Sequence, residues 1–258
     1  MPDIDIDQFV REATLLRHCA PVFFAPSPTA RPPAIYANGT FALVDTGQIK
    51  LAITSSHVWD EFQKYKLEVP TGCLCTVFAN GWGYSVRLPE QPLHIDREID
   101  LLVFEAMPGS WKMGCKEFYR VERWPIPKAA VNDKIEFMGF PGKYRKTAVY
   151  SADFGASYFE FGVLDVSDRQ ILSAGAGDHR FLDNHGKEVP PIEMGGLSGS
   201  PAYVRDGKGR LSLIGFVQKG GMSSGYLFLT HAAFLRRDGT LSRTLVTETI
   251  PSAAKPAR

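Results

Sequence analysis

Long apolar runs are missing from this chain: none approaches the ~18 consecutive residues a membrane-spanning helix needs, so no membrane partner is expected. Excess charge of one sign is missing too. With 29 Lys and Arg against 28 Asp and Glu, the formal net charge is +1, and no long-range field gathers nucleic acid or a lipid surface. Cysteine is sparse and irregular. The thiols of Cys19, Cys73, Cys75 and Cys115 follow no disulfide framework, and Cys73-x-Cys75 with His18 or Cys115 fits no common zinc spacing. Reduced, buried thiols without a metal are the expectation. A basic-then-apolar leader is also lacking, because Met1-Pro2-Asp3-Ile4-Asp5-Ile6-Asp7 is acidic, and a cytoplasmic location is expected on that ground. No internal repeat or low-complexity block stands out.

What is present is a succession of short strand patterns in a chain of 258 residues, long enough for one large domain or two barrels of roughly 100 residues each. A weak amphipathic helix is predicted over 7–17 from Phe9, Val10, Ala13, Leu15 and Leu16. Five prolines between 21 and 33 surround Val22-Phe23-Phe24, which reads as an edge strand followed by an extended connection. Residues 41–44, the turn Asp45-Thr46-Gly47 and the alternation of Ile49, Leu51 and Ile53 with Lys50, Ala52 and Thr54 predict a hairpin whose second strand is half-buried. A short helix is predicted over 58–62, a turn at Asn80-Gly81 and a strand over 101–104. Residues 107–128, with Pro108, Gly109, Pro125 and Pro127, look like a connection. Strands then follow at 133–140, 158–166, 202–204, 211–217 and 226–229, and Thr230 is a plausible N-cap for a short helix over 231–237. Short strands with little helix between them argue for an all-β barrel or sandwich over a βαβ fold.

One stretch concentrates backbone freedom around a potential nucleophile: Gly195-Gly196-Leu197-Ser198-Gly199-Ser200-Pro201. Glycines on both sides of a serine suggest a strained turn that presents the hydroxyl. A serine hydroxyl is a weak nucleophile by itself and needs a base to take its proton and an acid to orient that base. Candidates for both lie upstream: His57 in Ile53-Thr54-Ser55-Ser56-His57-Val58, and Asp100 in Glu98-Ile99-Asp100-Leu101-Leu102-Val103-Phe104. Asp96 is a rival for the acid, but Asp100 directly precedes the apolar strand.

These three segments resemble the His, Asp and Ser motifs of the chymotrypsin-like (trypsin-like) serine peptidases, T-A-A-H, D-I-A-L-L and G-x-S-G-x-P, in that family's chain order. The resemblance spans about residues 20 to 235 and includes the strand and Gly139-Phe140-Pro141-Gly142 turn that opens the second barrel in many bacterial members. It implies two antiparallel six-stranded β-barrels with the active site in the cleft between them and a short C-terminal helix. The divisions expected are an N-terminal extension 1–20, a first barrel 21–115 carrying His57 and Asp100, a connection 116–130, a second barrel 131–240 carrying Ser198, and a tail 241–258. It further implies a serine endopeptidase acting on polypeptides without a cofactor: Ser198 as nucleophile, His57 as general base, Asp100 as its orienting acid, and the N–H groups of Gly196 and Ser198 as oxyanion hole.

By offset from Ser198, Ile192 falls at the base of the primary pocket, with Val217 to Gly220 along one wall, which argues for an apolar preference; one residue of misalignment brings in Glu193. His179 and His185 are assigned no role. Ser55-Ser56 stand for the family's Ala-Ala, read as a small change in volume, and Leu102 for a small Ala. Leu197 replaces the aspartate that animal trypsins use to bind a newly cut N-terminus, so the chain is either active as made or switched by something else, such as an activating protein partner. The rival reading is a chymotrypsin-fold binding or sensing module with weak, dormant or partner-triggered hydrolysis, and a third is an esterase on the same triad.

Overall fold

The structure, a computed structural model, describes residues 6–27, 36–77, 85–106, 116–147, 152–174, 181–182, 188–189, 195–221 and 226–245. The expected Asn80-Gly81 turn, Cys115, His179, His185, Ile192, Glu193 and the chain from 246 onward lie outside these residues. Helix α1 (Ile6–Arg17) leads into the first sheet: β1 (Cys19–Ala25), β2 (Tyr36–Asp45), β3 (Lys50–Thr54), helix α2 (Ser56–Glu68), β4 (Cys73–Val77), β5 (Ser85–Arg87), β6 (His94–Asp96), β7 (Leu101–Glu105) and β8 (Tyr119–Arg120). The strands lie in the order β5-β4-β1-β2-β3-β7-β6, all antiparallel, and β8 adds to β2 in parallel. The second half runs β9 (Lys134–Gly139), β10 (Arg145–Thr147), β11 (Ala152–Phe154), β12 (Ser157–Val166), β13 (Gln170–Ala174), β14 (Phe181–Leu182), β15 (Glu188–Val189), β16 (Pro201–Arg205), β17 (Leu211–Gly221) and β18 (Tyr226–His231). Here β12-β13-β18-β17-β16-β9 close into a six-stranded antiparallel barrel. The chain is thus mostly β, with a closed second barrel; among the described residues the first sheet stays open between β5 and β6.

The alternation of apolar residues is partitioned between two cores. On β2, β3 and β7, Val44, Leu51, Ile53, Leu101 and Val103 pack against Met138, Phe140, Tyr203, Phe216 and Phe234 of the second half. Their neighbours Phe41, Leu43, Ala52, Leu102 and Phe104 turn to the other face and pack with Phe24 and with Val58, Trp59 and Phe62 of α2. For that reason β3, expected to be half-buried, is covered on both faces from Leu51 to Thr54. A third core fills the closed barrel, where Phe159, Phe161 and Val163 of β12 point inward at the period of 2 a strand dictates, against Phe137, Ile171, Leu227 and Leu229.

Four local expectations are corrected. Strand β1 is not an edge but lies between β2 and β4; β4 pairs only from Val22 to Ala25, so Pro21, which has no N–H to give, escapes that ladder. The helix after His57 runs on to Glu68, because Trp59, Phe62 and Tyr65 continue its apolar stripe onto the first sheet. Thr230 caps no helix. Its hydroxyl donates to the Ile99 carbonyl at 2.7 Å, and the chain beyond it makes only a 3-10 turn, Ala232–Phe234, before Leu235 bridges to Leu241. Residues 119–120, expected within the connection, pair with β2. The predicted N-terminal helix is present as α1, and its Leu15 is fully buried in the core between the halves.

The buried Cys19, Cys73 and Cys75 are in no disulfide among the described residues, and burial pushes the Cys19 thiol up to about 11, so it packs as an inert apolar group. His18 is turned to the Glu117 carbonyl at 3.0 Å and stacks edge-on against Tyr119. Two imidazoles, His231 fully buried and His18 half-buried, make the fold sensitive to pH. Burial lowers the pKa of His231, whose Nε2 donates to the Ser167 carbonyl at 2.8 Å while Nδ1 finds no partner among the described residues, and partial burial likewise lowers that of His18. Both are neutral in fold and unfolded chain above their ordinary value of 6.5, so neither makes stability vary with pH there. Below it the unfolded chain takes up protons that the fold refuses, and stability falls until the lowered folded values are passed. The melting temperature is therefore expected to drop as pH is lowered from 7 toward 5.5, and His231→Gln, which keeps a donor but cannot titrate, should flatten the drop. A wild-type melting temperature constant over this range would refute the assignment.

Candidate active site

The chain leaves β3 at Thr54, turns at the fully buried Ser55 and enters α2, so His57 stands in the first turn of that helix at the rim of the first sheet. The Ser55 hydroxyl does not cap the helix; it donates across to the Val217 carbonyl of the second barrel at 3.3 Å. Asp100 closes the turn between β6 and β7 at φ +51, a left-handed conformation that aspartate tolerates better than most residues. Its carboxylate meets three donors. Oδ1 accepts the Ser56 hydroxyl at 2.8 Å and the His57 backbone N–H at 3.0 Å, and Oδ2 accepts His57 Nδ1–H at 2.8 Å. His57 Nε2 lies 2.9 Å from Ser198 Oγ. The side chains of His57 and Asp100 are 47% and 22% exposed, so the chain of groups opens to solvent at the imidazole.

Asp96 stands apart from this chain of groups. Its Oδ1 accepts the N–H groups of Glu98 and Ile99, and its Oδ2 accepts Arg243 Nε at 2.6 Å. Burial works to raise its pKa, but the Arg243 guanidinium and the two N–H groups more than offset that and hold the carboxyl below its usual range. Arg243 also reaches Glu98 at 2.6 Å, and Arg97 grips Asp60 of α2 through Nε and an Nη at 2.8 Å, so the turn 96–100 is pinned from the helix and from the C-terminal segment.

The nucleophile turn is held by its carbonyls. Gly195 O accepts from Gly142 N at 2.7 Å, Gly196 O from the Thr40 hydroxyl at 2.9 Å, Leu197 O from Ser200 N at 2.9 Å, and Ser198 O from Thr40 N at 2.9 Å. In a trans peptide N–H points opposite to C=O, so fixing three successive carbonyls turns the N–H groups of Gly196, Leu197 and Ser198 the other way. Neither Gly196 nor Ser198 N–H donates to a protein acceptor among the described residues. Gly196 and Gly199 adopt φ +96 and +91.

Of the expected pocket residues, Ile192 is outside the described chain. Val217 is 1% exposed and packs in the barrel core, where its backbone exchanges hydrogen bonds with Gly199 N and Ser200 O; it is a support beneath the turn. Gly220 is half-buried on β17, opposite Leu227. Sequence reasoning took Ser56 as a change in volume, whereas it is a donor to Asp100; a hydroxyl replacing a methyl beside the acid was the available signal. Thr40 and Gln218, whose carbonyl lies 3.0 Å from Ser198 Oγ, were not singled out, and no local pattern marks them.

No protein-family model matches the chain, and no curated protein matches it by sequence. Among solved structures, it is similar to a serine endoprotease from Yersinia pestis, with a TM-score of 0.52 and 14% identity over 90% of this chain and 64% of that one, so the chain spans less than two thirds of that protein. Other similar structures are the MamO protease domain from Magnetospirillum magneticum, with TM-score 0.46, 14% identity and coverage of 83% and 92%, and the thermostable serine protease AL20 from an extremophilic microorganism, with TM-score 0.48, 11% identity and coverage of 85% and 92%. At such identities the likeness is one of fold: this is the chymotrypsin-like fold found in serine proteases.

The seat of the turn is testable. A Cβ at Gly199 would overlap the Thr40 carbonyl and come within 2.8 Å of Thr54 Cα, both rigid backbone, at a φ that L residues avoid. Gly199→Ala is expected to cost at least about 2 kcal/mol of stability, read by thermal unfolding, and an unchanged melting temperature would count against this description of the turn.

Proposed function

We propose that the chain is a serine endopeptidase that hydrolyses peptide bonds through Asp100, His57 and Ser198. The observation that carries the reading is the unbroken series of contacts from Asp100 Oδ2 to His57 Nδ1 at 2.8 Å and from His57 Nε2 to Ser198 Oγ at 2.9 Å, drawn from three separate stretches of sequence. With Nδ1–H given to Asp100, a neutral His57 has a bare Nε2 that takes the Ser198 proton as Oγ attacks the substrate carbonyl carbon. The imidazolium that forms is stabilised by the Asp100 carboxylate, which accepts from Nδ1–H while Ser56 and the His57 backbone hold it in place. Negative charge on the former carbonyl oxygen is met by the N–H groups of Gly196 and Ser198, which have no protein acceptor among the described residues. His57 then gives its proton to the leaving amine, and water, deprotonated by the same nitrogen, resolves the acyl-enzyme. An extended polypeptide is the substrate class, laid as a strand beside Gly220.

A second reading, a chymotrypsin-fold module with a dormant site, draws on one contact. Ser198 Oγ lies 3.0 Å from the Gln218 carbonyl, and its single proton cannot serve both acceptors. A hydroxyl turned to Gln218 is not activated.

A fluorophosphonate probe separates the two readings. The peptidase reading expects one adduct by intact mass on the parent and none on Ser198→Ala, with peptide hydrolysis falling about 10⁶-fold in that variant and kcat about 10⁴-fold in Asp100→Asn. Folded protein that takes no label and cleaves no peptide would shift the assignment to the dormant module.

A further inference from the structure

Strand β17 carries an irregularity where it passes the site: Val217 pairs with Leu229 and Lys219 with Phe228, leaving Gln218 as the unpaired residue of a bulge. Bulges re-aim side chains and local carbonyls. Here both are re-aimed toward the candidate triad. The Gln218 carbonyl lies 3.0 Å from Ser198 Oγ, and the Gln218 carboxamide, only 5% exposed, turns toward the first sheet and donates from Nε2 to the Ile99 carbonyl at 2.9 Å. The orientation of the amide is fixed from behind. Gln170 Nε2 donates to Gln218 Oε1 at 3.0 Å, so the nitrogen is the end that faces Ile99. The second lone pair of the same carbonyl takes the Thr230 hydroxyl at 2.7 Å.

Ile99 immediately precedes Asp100, and its carbonyl belongs to the peptide unit whose plane sets the direction in which Asp100 leaves the turn. That residue sits at φ +51, in the left-handed region. We propose that Gln218 is a positioning residue of the triad: from the second barrel it fixes the Ile99–Asp100 peptide, and with it the carboxylate that orients His57. Gln218 thereby reaches the residue before the acid with its side chain and lies beside the nucleophile with its carbonyl, so the register of β17 is a common reference for both. This inference rests on the peptidase reading for its kinetic consequence but on the geometry alone for its structural one.

The test uses Gln218→Met, close in volume and without donor or acceptor, and Thr230→Val, which removes the other donor to Ile99 from a different strand and carries the same prediction if the first variant does not fold. Each is made in the parent and in the Asp100→Asn background. Fluorophosphonate labelling is expected to slow about tenfold to a hundredfold in the parent background, and by less than about twofold beside Asp100→Asn, because a residue acting through the acid has nothing left to position. A substrate-binding role would instead raise KM alone. Equal slowing in both backgrounds, or no slowing, would overturn the proposal. Proton NMR decides the structural half whether or not the protein hydrolyses anything: the downfield Nδ1 proton shared by His57 and Asp100 should be present in the parent and shifted or broadened in both variants. Its absence from the parent, or an unchanged resonance in the variants, also overturns it. A parent that takes no label but shows the expected proton changes refutes the peptidase reading and leaves the positioning role standing.

Discussion

Three successive carbonyls, of Gly195, Gly196 and Leu197, together with that of Ser198, are turned into the protein and paired there, and the rest of the site depends on that pairing. A buried carbonyl left without a donor is costly, so the donors decide how the turn lies. Most of them come from outside the turn: Gly142 N from the loop after β9, and the backbone and hydroxyl of Thr40 from β2. Thr40 does more than accept one role, since its hydroxyl oxygen also receives the Phe140 N–H at 3.1 Å and so joins β2, the loop after β9 and the nucleophile turn at one atom. The free N–H groups on the opposite side are a by-product of this arrangement. Any anion site there is made by what happens behind it.

The same economy governs the seam between the two halves. Apolar side chains from β2, β3 and β7 and from the second barrel form one shared core, which supplies adhesion but no exact register, because the hydrophobic effect is non-directional. Register is supplied by a few polar bonds that cross the seam: Ser55 to the Val217 carbonyl, Gln218 and Thr230 to the Ile99 carbonyl, Thr40 to the nucleophile turn, and Arg243 to Asp96. Each joins an element that carries one candidate triad residue to an element that carries another, or to its support.

What the sequence disclosed divides along the same line. Strand period, the Pro141-Gly142 turn and the glycines around Ser198 are local signals, and the elements they foretell are where they were expected. The three motifs around His57, Asp100 and Ser198 were likewise readable, because each encodes its own turn. Burial was misread wherever it depends on what lies on the far side of a strand: β3 looks half-buried in isolation and β1 looks like an edge, yet α2, the second barrel and β4 cover them. The supporting polar residues were invisible for a plainer reason. Thr40 and Gly196 are 156 positions apart, Gln218 and Ile99 119, and Arg243 and Asp96 147, and no pattern of spacing within either partner's neighbourhood announces the other.

The clasp of Arg243 on Asp96 also bears on the order in which the molecule can become complete. A chain made from its N-terminus presents His57 and Asp100 when more than half of it is still to come, and the groups that fix the turn 96–100 from outside arrive only with Gln218, Thr230 and finally Arg243. The three candidate residues can therefore meet only after the strands that carry Ser198 and Gln218 exist, and the contacts that hold the turn 96–100 are completed later still.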